Sequence, residues 1–117
     1  MRMNSISEAM RVTMAIRVHR INRANSHTLV REVVMGHLPG AGDLIEVDDE
    51  GGSLLRVVRR HWSFYGYAVL YLNNIVVDPE NDIHIHDDEV KWTTDPDLPY
   101  QDPIAILHDS GWKREGE

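Results

Sequence analysis

Val12, Met14, Ile16 and Val18 stand at every second position, separated by Thr13, Ala15 and Arg17 and flanked by Arg11 and His19. A helix would scatter these four apolar side chains around its circumference. An extended strand puts all of them on one face, and that face must find a partner surface to leave water. Arg11 to Ile21 is therefore predicted as a half-buried strand, and the rest of the chain has to supply its cover.

The polar stretch Asn22-Arg23-Ala24-Asn25-Ser26 leads to Thr28 to Met35, whose β-branched content favours a second strand antiparallel to the first, with Leu29, Val33 and Met35 facing inward. Leu38-Pro39-Gly40-Ala41-Gly42-Asp43 reads as a loop, because Pro39 lacks a donor and the glycines admit left-handed backbone angles. Leu44 to Val47 and Leu54 to Phe64 flank Asp48-Asp49-Glu50-Gly51-Gly52 as a hairpin. Within the second arm the alternation slips: Leu55 and Val57 share one parity, Trp62 and Phe64 the other. A β-bulge near Val58 to Arg60 restores the phase. Tyr65-Gly66 turns the chain into Tyr67 to Leu72, and Ile75 to Val77 either continues that strand or pairs back, depending on whether Asn73-Asn74 is a turn.

Ile83 to His86, or to Trp92, adds a further strand, and Asp102-Pro103 starts a short helix through His108 that Gly111 stops. Ile104, Leu107 and Trp112 would dock it. Strands joined by short connections predict a mainly β fold, a small, partly open antiparallel β-barrel, SH3-like in character, of about five or six strands. Residues 1–92 form the barrel, and residues 93–117 an acidic, proline-containing C-terminal arm of the same domain that carries the short helix.

Pro39-Gly40-Ala41-Gly42-Asp43-Leu44-Ile45-Glu46-Val47, with Gly51-Gly52 and Val57-Val58, resembles the Gly-Asp-apolar opening of SH3-like barrels, including KOW-type modules. Head-to-tail connector proteins of tailed phages are broadly similar over the same residues. The likeness implies a fold pattern and transfers no binding residue.

At 117 residues the chain is one domain, and 42% hydrophobic against 26% charged residues excludes a disordered or collagen-like scaffold. No cysteine is present, which excludes a disulfide staple, a thiolate zinc site and a cysteine nucleophile, and fits the cytoplasm. Neither an export signal at Met1 to Met10 nor a membrane span between His61 and Val77 is predicted. Charge is uneven. Residues 1–70 hold 9 Lys/Arg against 7 Asp/Glu, net +2, whereas residues 71–117 hold 3 against 12, net −9. The C-terminal part repels phosphate backbones and can compete with them for the chain's own arginines.

Arg56, Arg59 and Arg60 interleave with Trp62, Phe64, Tyr65 and Tyr67, and guanidinium groups among aromatic faces can hold phosphates and stack bases. Arg56, Arg59, Arg60, Trp62, Tyr65 and Tyr67 are the candidate binding residues. The plainer reading sends the aromatics to the core, since the chain has only 8 of them, and leaves the arginines in water. The acidic arm is not purely a solvated tail either, because Trp92, Tyr100, Ile106 and Leu107 make it a candidate wrap for its own barrel or a neighbour's.

Asp82, His84, His86 and Asp88 alternate, so an extended segment would project all four from one face as candidate metal ligands, suited to zinc, nickel or non-haem iron. The His-x-His step is similar to the cupin pattern, but a cupin's acidic ligand comes later than Glu89, and polar teeth on an edge strand explain the spacing equally. His61 is a possible general base without a partner. Gly40-Ala41-Gly42 lacks the Gly-Lys-Ser/Thr of a phosphate loop.

The function these features favour is a non-enzymatic protein-interaction or assembly module, acting on a protein partner or on copies of itself, with no cofactor and no membrane. The alternatives are a nucleic-acid-binding barrel using the Arg/aromatic patch, less favoured because of the acidic end, and a metal-binding protein using the Asp-x-His-x-His-x-Asp strand.

Overall fold

The structure, a computed structural model, describes residues 9–20, 26–49, 52–77, 83–85 and 102–116. Its elements are β1 (Met10–Arg20), β2 (Ser26–Met35), β3 (Leu44–Glu46), β4 (Leu54–Trp62), β5 (Ala68–Leu72), β6 (Ile75–Val77), β7 (Ile83–Ile85), α1 (Pro103–Asp109) and β8 (Lys113–Arg114). The described fold is mainly β with one short helix.

The strand predicted from the alternation is the centre of the sheet. On one side β1 pairs antiparallel with β2, from Met10 opposite Met35 to His19 opposite Ser26. On the other side it runs parallel to β5, with Val12 opposite Ala68, and then to β6, with Val18 opposite Ile75. β4 lies antiparallel outside β5, β3 outside β4, β7 outside β6 and β8 outside β2.

This sheet corrects the expected antiparallel barrel. Closure would require the outermost strands to meet, whereas the hydrogen-bonded path runs from β3 at one edge to β8 at the other, and the pairings of β1 with β5 and β6 make the sheet mixed. Among the described residues the sheet is not closed into a barrel, and nothing in it supports the SH3-like character. The sheet stays open because its apolar face is covered by the C-terminal segment.

The predicted inward face is buried: Val12, Met14, Ile16 and Val18 are 1%, 4%, 0% and 1% exposed. Leu29 joins them, while Val33 and Met35 pack on the core only in part. Leu55, Val57, Ala68, Leu70, Leu72, Ile75 and Val77 complete the sheet's share, and Leu107 and Trp112 close over it. The core is almost entirely aliphatic. Among the described residues Trp112 is the one aromatic side chain in it, which overturns the expectation that Trp62, Phe64 and their neighbours are spent on the interior.

Two phase slips make this packing possible. On β4 the register shifts between Val57 and Arg59, the bulge predicted from the parity of the apolar residues. On the neighbouring strand the buried residues are even-numbered in β5 (Ala68, Leu70, Leu72) and odd-numbered in β6 (Ile75, Val77), although both run beside β1 in the same direction. An extra residue is therefore required between them. Asn73-Asn74 supplies it, and the chain continues without reversing.

The predicted helix start is observed. Asp102 caps α1, its Oδ1 accepting from the Ile104 N–H at 2.9 Å, Pro103 occupies the first turn, and the Asp102 Oδ2 accepts from Arg20 at 2.6 Å. One carboxylate thus ends the helix and ties it to the end of β1. Gly111, at φ +92°, turns the chain after the helix so that Trp112 enters the core.

His27 lies opposite Val18 on the face that α1 covers. Its pKa is lowered from 6.5, first by burial, then by the charges of Arg114, Arg20 and His108, against which Asp102 acts in the opposite direction. The unfolded chain therefore takes up this proton before the folded one does. Stability is at its full value above 6.5, declines as pH falls through 6.5, and stops declining below the folded-state pKa. Melting temperature measured between about pH 7.5 and 5 should fall less steeply for His27→Gln than for the parent. Parallel curves, or a His27 NMR titration at or above 6.5, would refute this assignment.

Candidate functional site

The two bulges lie side by side and shape one end of the sheet. The Asn73 N–H donates to the Arg56 carbonyl at 3.1 Å, and the Arg56 N–H donates to the Asn73 Oδ1 at 2.6 Å. Bulges re-aim the side chains that follow them. Arg59 and Arg60, as neighbours on a strand, take opposite faces, and the shift at Val58 decides which: Arg59 lies opposite Tyr71 on the outer face and Arg60 opposite the buried Leu70.

The predicted Arg/aromatic patch is therefore divided. Arg56 and Arg59 line a concave depression of about 600 Å³ on the face away from the core. Its floor is Ala15, which is 8% exposed although it points outward, and Arg17, Thr28, Tyr71 and Asn74 stand around it. The Arg59 guanidinium rests over the Tyr71 ring, 4.3 Å from its centroid, and the His61 ring lies 5.2 Å from Tyr71 at a tilt of 44°. A guanidinium laid on an aromatic ring still presents its N–H edges outward. Arg56 donates to the Gly42 carbonyl at 2.7 Å, and Arg17 to the Ser26 hydroxyl at 2.8 Å. Arg60 is a structural residue by contrast, donating across to the Leu38 and Pro39 carbonyls at 3.3 and 3.4 Å.

The aromatic members of the patch belong to the β4–β5 turn. Trp62 is 60% exposed, and Phe64 and Tyr65 are 88% exposed each, their rings meeting edge to face at 5.8 Å. The turn that carries them is well tied. The Ser63 N–H donates to the Tyr67 carbonyl at 2.7 Å, Gly66, at φ +87°, returns an N–H to the Ser63 carbonyl at 3.1 Å, and the Ser63 hydroxyl accepts from the Tyr65 N–H at 3.1 Å. Tyr67 is half-buried at the base of the turn.

The Gly40–Gly42 segment is a turn bound to β4, with the Gly42 N–H donating to the Val57 carbonyl at 2.8 Å and the Asp43 carboxylate accepting from the Gly40 N–H at 2.8 Å. Of the candidate metal ligands, Asp82, His86 and Asp88 lie outside the described residues, and His84 belongs to β7, opposite Val76. Among the described residues no cluster of His, Asp and Glu is grouped to hold a metal ion, and no helix is long and apolar enough to cross a membrane.

Sequence reasoning missed Arg17, Thr28, Tyr71 and Asn74. The parity that buries Ile16 and Val18 already directs Arg17 outward, and that of Leu70 and Leu72 does the same for Tyr71; what no local pattern shows is that β1 and β5 are neighbours. Comparison with family models, with curated proteins and with solved structures finds no match to this chain.

Proposed function

We propose that the protein is a non-enzymatic assembly module whose copies associate through the aromatic tip of the β4–β5 hairpin. One observation carries the reading: Trp62, Phe64 and Tyr65 are held in water by a hydrogen-bonded turn, where each forgoes the burial that a folded chain ordinarily obtains from such residues. Large aromatics on a rigid turn lose little conformational freedom on binding and are the side chains that dominate protein interfaces. The occupant that charge favours is a second copy. Arg59 stands on β4 beside the tip, and residues 71–117 of a neighbour carry a net charge of −9.

Sedimentation equilibrium tests this directly. The parent protein should associate as its concentration rises, more weakly at high salt, and Trp62→Ser/Phe64→Ser/Tyr65→Ser should be monomeric with a melting temperature within a few degrees of the parent's, because the tip adds little to the fold. A parent that stays monomeric into the hundreds of micromolar, or a triple variant that associates equally well, would overturn the proposal.

A further inference from the structure

The outward face of the sheet carries a pattern independent of the hairpin tip. Strand register aligns Lys113, Val30, Ala15, Tyr71 and Arg59 in one row across β8, β2, β1, β5 and β4. The row has a cation at each end and its lowest point at Ala15, with Arg17 two residues along β1 on the same face. Four strand-to-strand steps place its ends about 19 Å apart. Arg17, Arg59 and Lys113 are exposed, and none has a carboxylate partner among the described residues. Of the carboxylates on this face, Glu32 is engaged by Arg11 at 3.2 Å, Glu46 stands at the β3 edge, and Glu115 stands at the β8 edge, where its N–H donates to the Thr28 carbonyl at 2.8 Å.

We infer that this face binds single-stranded nucleic acid, with Arg17 and Arg59 gripping phosphates over the Ala15 depression and Lys113 meeting the same strand at the far edge. Tyr71 is a positioning residue, since its ring fixes the plane of the Arg59 guanidinium and so reduces the ordering that phosphate binding has to impose. The small floor at Ala15 lets a sugar-phosphate chain approach the sheet, and Thr28 and Asn74 add neutral hydrogen-bonding groups beside it. Cations spaced over this distance, at Lys113, Arg17 and Arg59, suit an extended strand of a few nucleotides better than one isolated anion. The overall charge of −7 does not forbid this. At about 0.1 M salt a field decays over roughly 10 Å, so a strand lying directly on Arg17, Arg59 and Lys113 responds to these cations more than to the net charge of the whole chain.

The test is fluorescence anisotropy of a labelled oligothymidylate with the full chain at about 50 mM salt and above. Binding is expected to weaken linearly on a log–log salt plot, and Arg17→Glu/Arg59→Glu to lose about tenfold or more in affinity with a salt slope shallower by about 1 to 2. Lys113→Glu, on a different strand, should weaken binding less and in the same sense, which keeps the test valid if the double variant folds poorly. The serine variant of the hairpin tip should bind as the parent does, so this proposal and the assembly proposal fail separately. No binding at low salt, an unaffected Lys113→Glu, equally tight binding of duplex DNA, or equal competition by polyaspartate would each overturn it.

Discussion

Trp112→Ala should destabilise the protein by about 3 to 5 kcal/mol, a fall in melting temperature on the order of 10 to 20 °C. The indole is 1% exposed and is the largest fully buried side chain among the described residues. Its Nε1–H donates to the Val47 carbonyl at 2.8 Å, joining the end of the chain to the segment after β3. Ser110, just before it, accepts from the Asp49 N–H at 2.9 Å, so the same loop is held twice. Removing the ring opens a cavity between α1 and the sheet and strands the Val47 carbonyl. Trp112→Phe separates these effects, since it keeps most of the apolar contact and loses only the donor, at a cost of about 1 to 3 kcal/mol. Urea denaturation should rank the proteins parent, Phe, Ala. A loss below about 1 kcal/mol for the Ala variant would show that the C-terminal segment does not close the core.

That prediction rests on a residue the sequence already placed, for Ile104, Leu107 and Trp112 follow Asp102-Pro103 at spacings that fit a docking helix, and Leu107 and Trp112 are in the core. Local signals of this kind were legible throughout. β1 to β7, the β3–β4 hairpin and the β4 bulge follow from parity and turn chemistry, whereas the two-residue β8 does not. Partner choice was not, because an apolar face states only that it must be covered. Val12, Met14, Ile16 and Val18 would be satisfied equally by the closing strand of a barrel or by a helix and an indole, and the second is what the chain uses. For the same reason the short runs Ala68–Leu72 and Ile75–Val77 gave no indication that they lie parallel to β1.

The candidate site was less legible than the fold. Arg59 and Arg60 are adjacent in sequence and invite a single patch, yet strand alternation sends them to opposite faces, and the bulge that repairs the apolar phase decides which goes where, leaving Arg59 over Tyr71 and tying Arg60 to the Leu38 and Pro39 carbonyls. The bulge was predicted and its consequence for these two side chains could have been drawn from it. The approach of Arg17 and Tyr71 could not, because they belong to strands more than fifty residues apart whose adjacency depends on the crossover between β2 and β5.

Asn73→Leu tests the other structural element on which that site depends, and should cost about 1 to 3 kcal/mol. Asn-Asn between two apolar runs reads naturally as a reversal, and in a reversal both residues would be surface groups. Instead Asn73 is 4% exposed and Asn74 is exposed. The Asn73 amide oxygen accepts from the Arg56 N–H at 2.6 Å, filling the bond that a regular ladder would have made with backbone. Leucine has the volume but no acceptor, so it removes this hydrogen bond where β4 crosses from one strand segment to the next. Asn74→Leu, one residue on, should change stability by less than about 0.5 kcal/mol. Hydrogen exchange at the Arg56 amide should accelerate in the first variant and not in the second. Because the inserted residue also sets the phase that buries Ile75 and Val77 and holds Arg56 and Tyr71 at the rim of the Ala15 depression, Asn73→Leu should weaken oligothymidylate binding as well. Equal stability and exchange for the two variants would return the segment to an ordinary turn and remove the structural basis for placing Arg17, Arg59 and Tyr71 around one site.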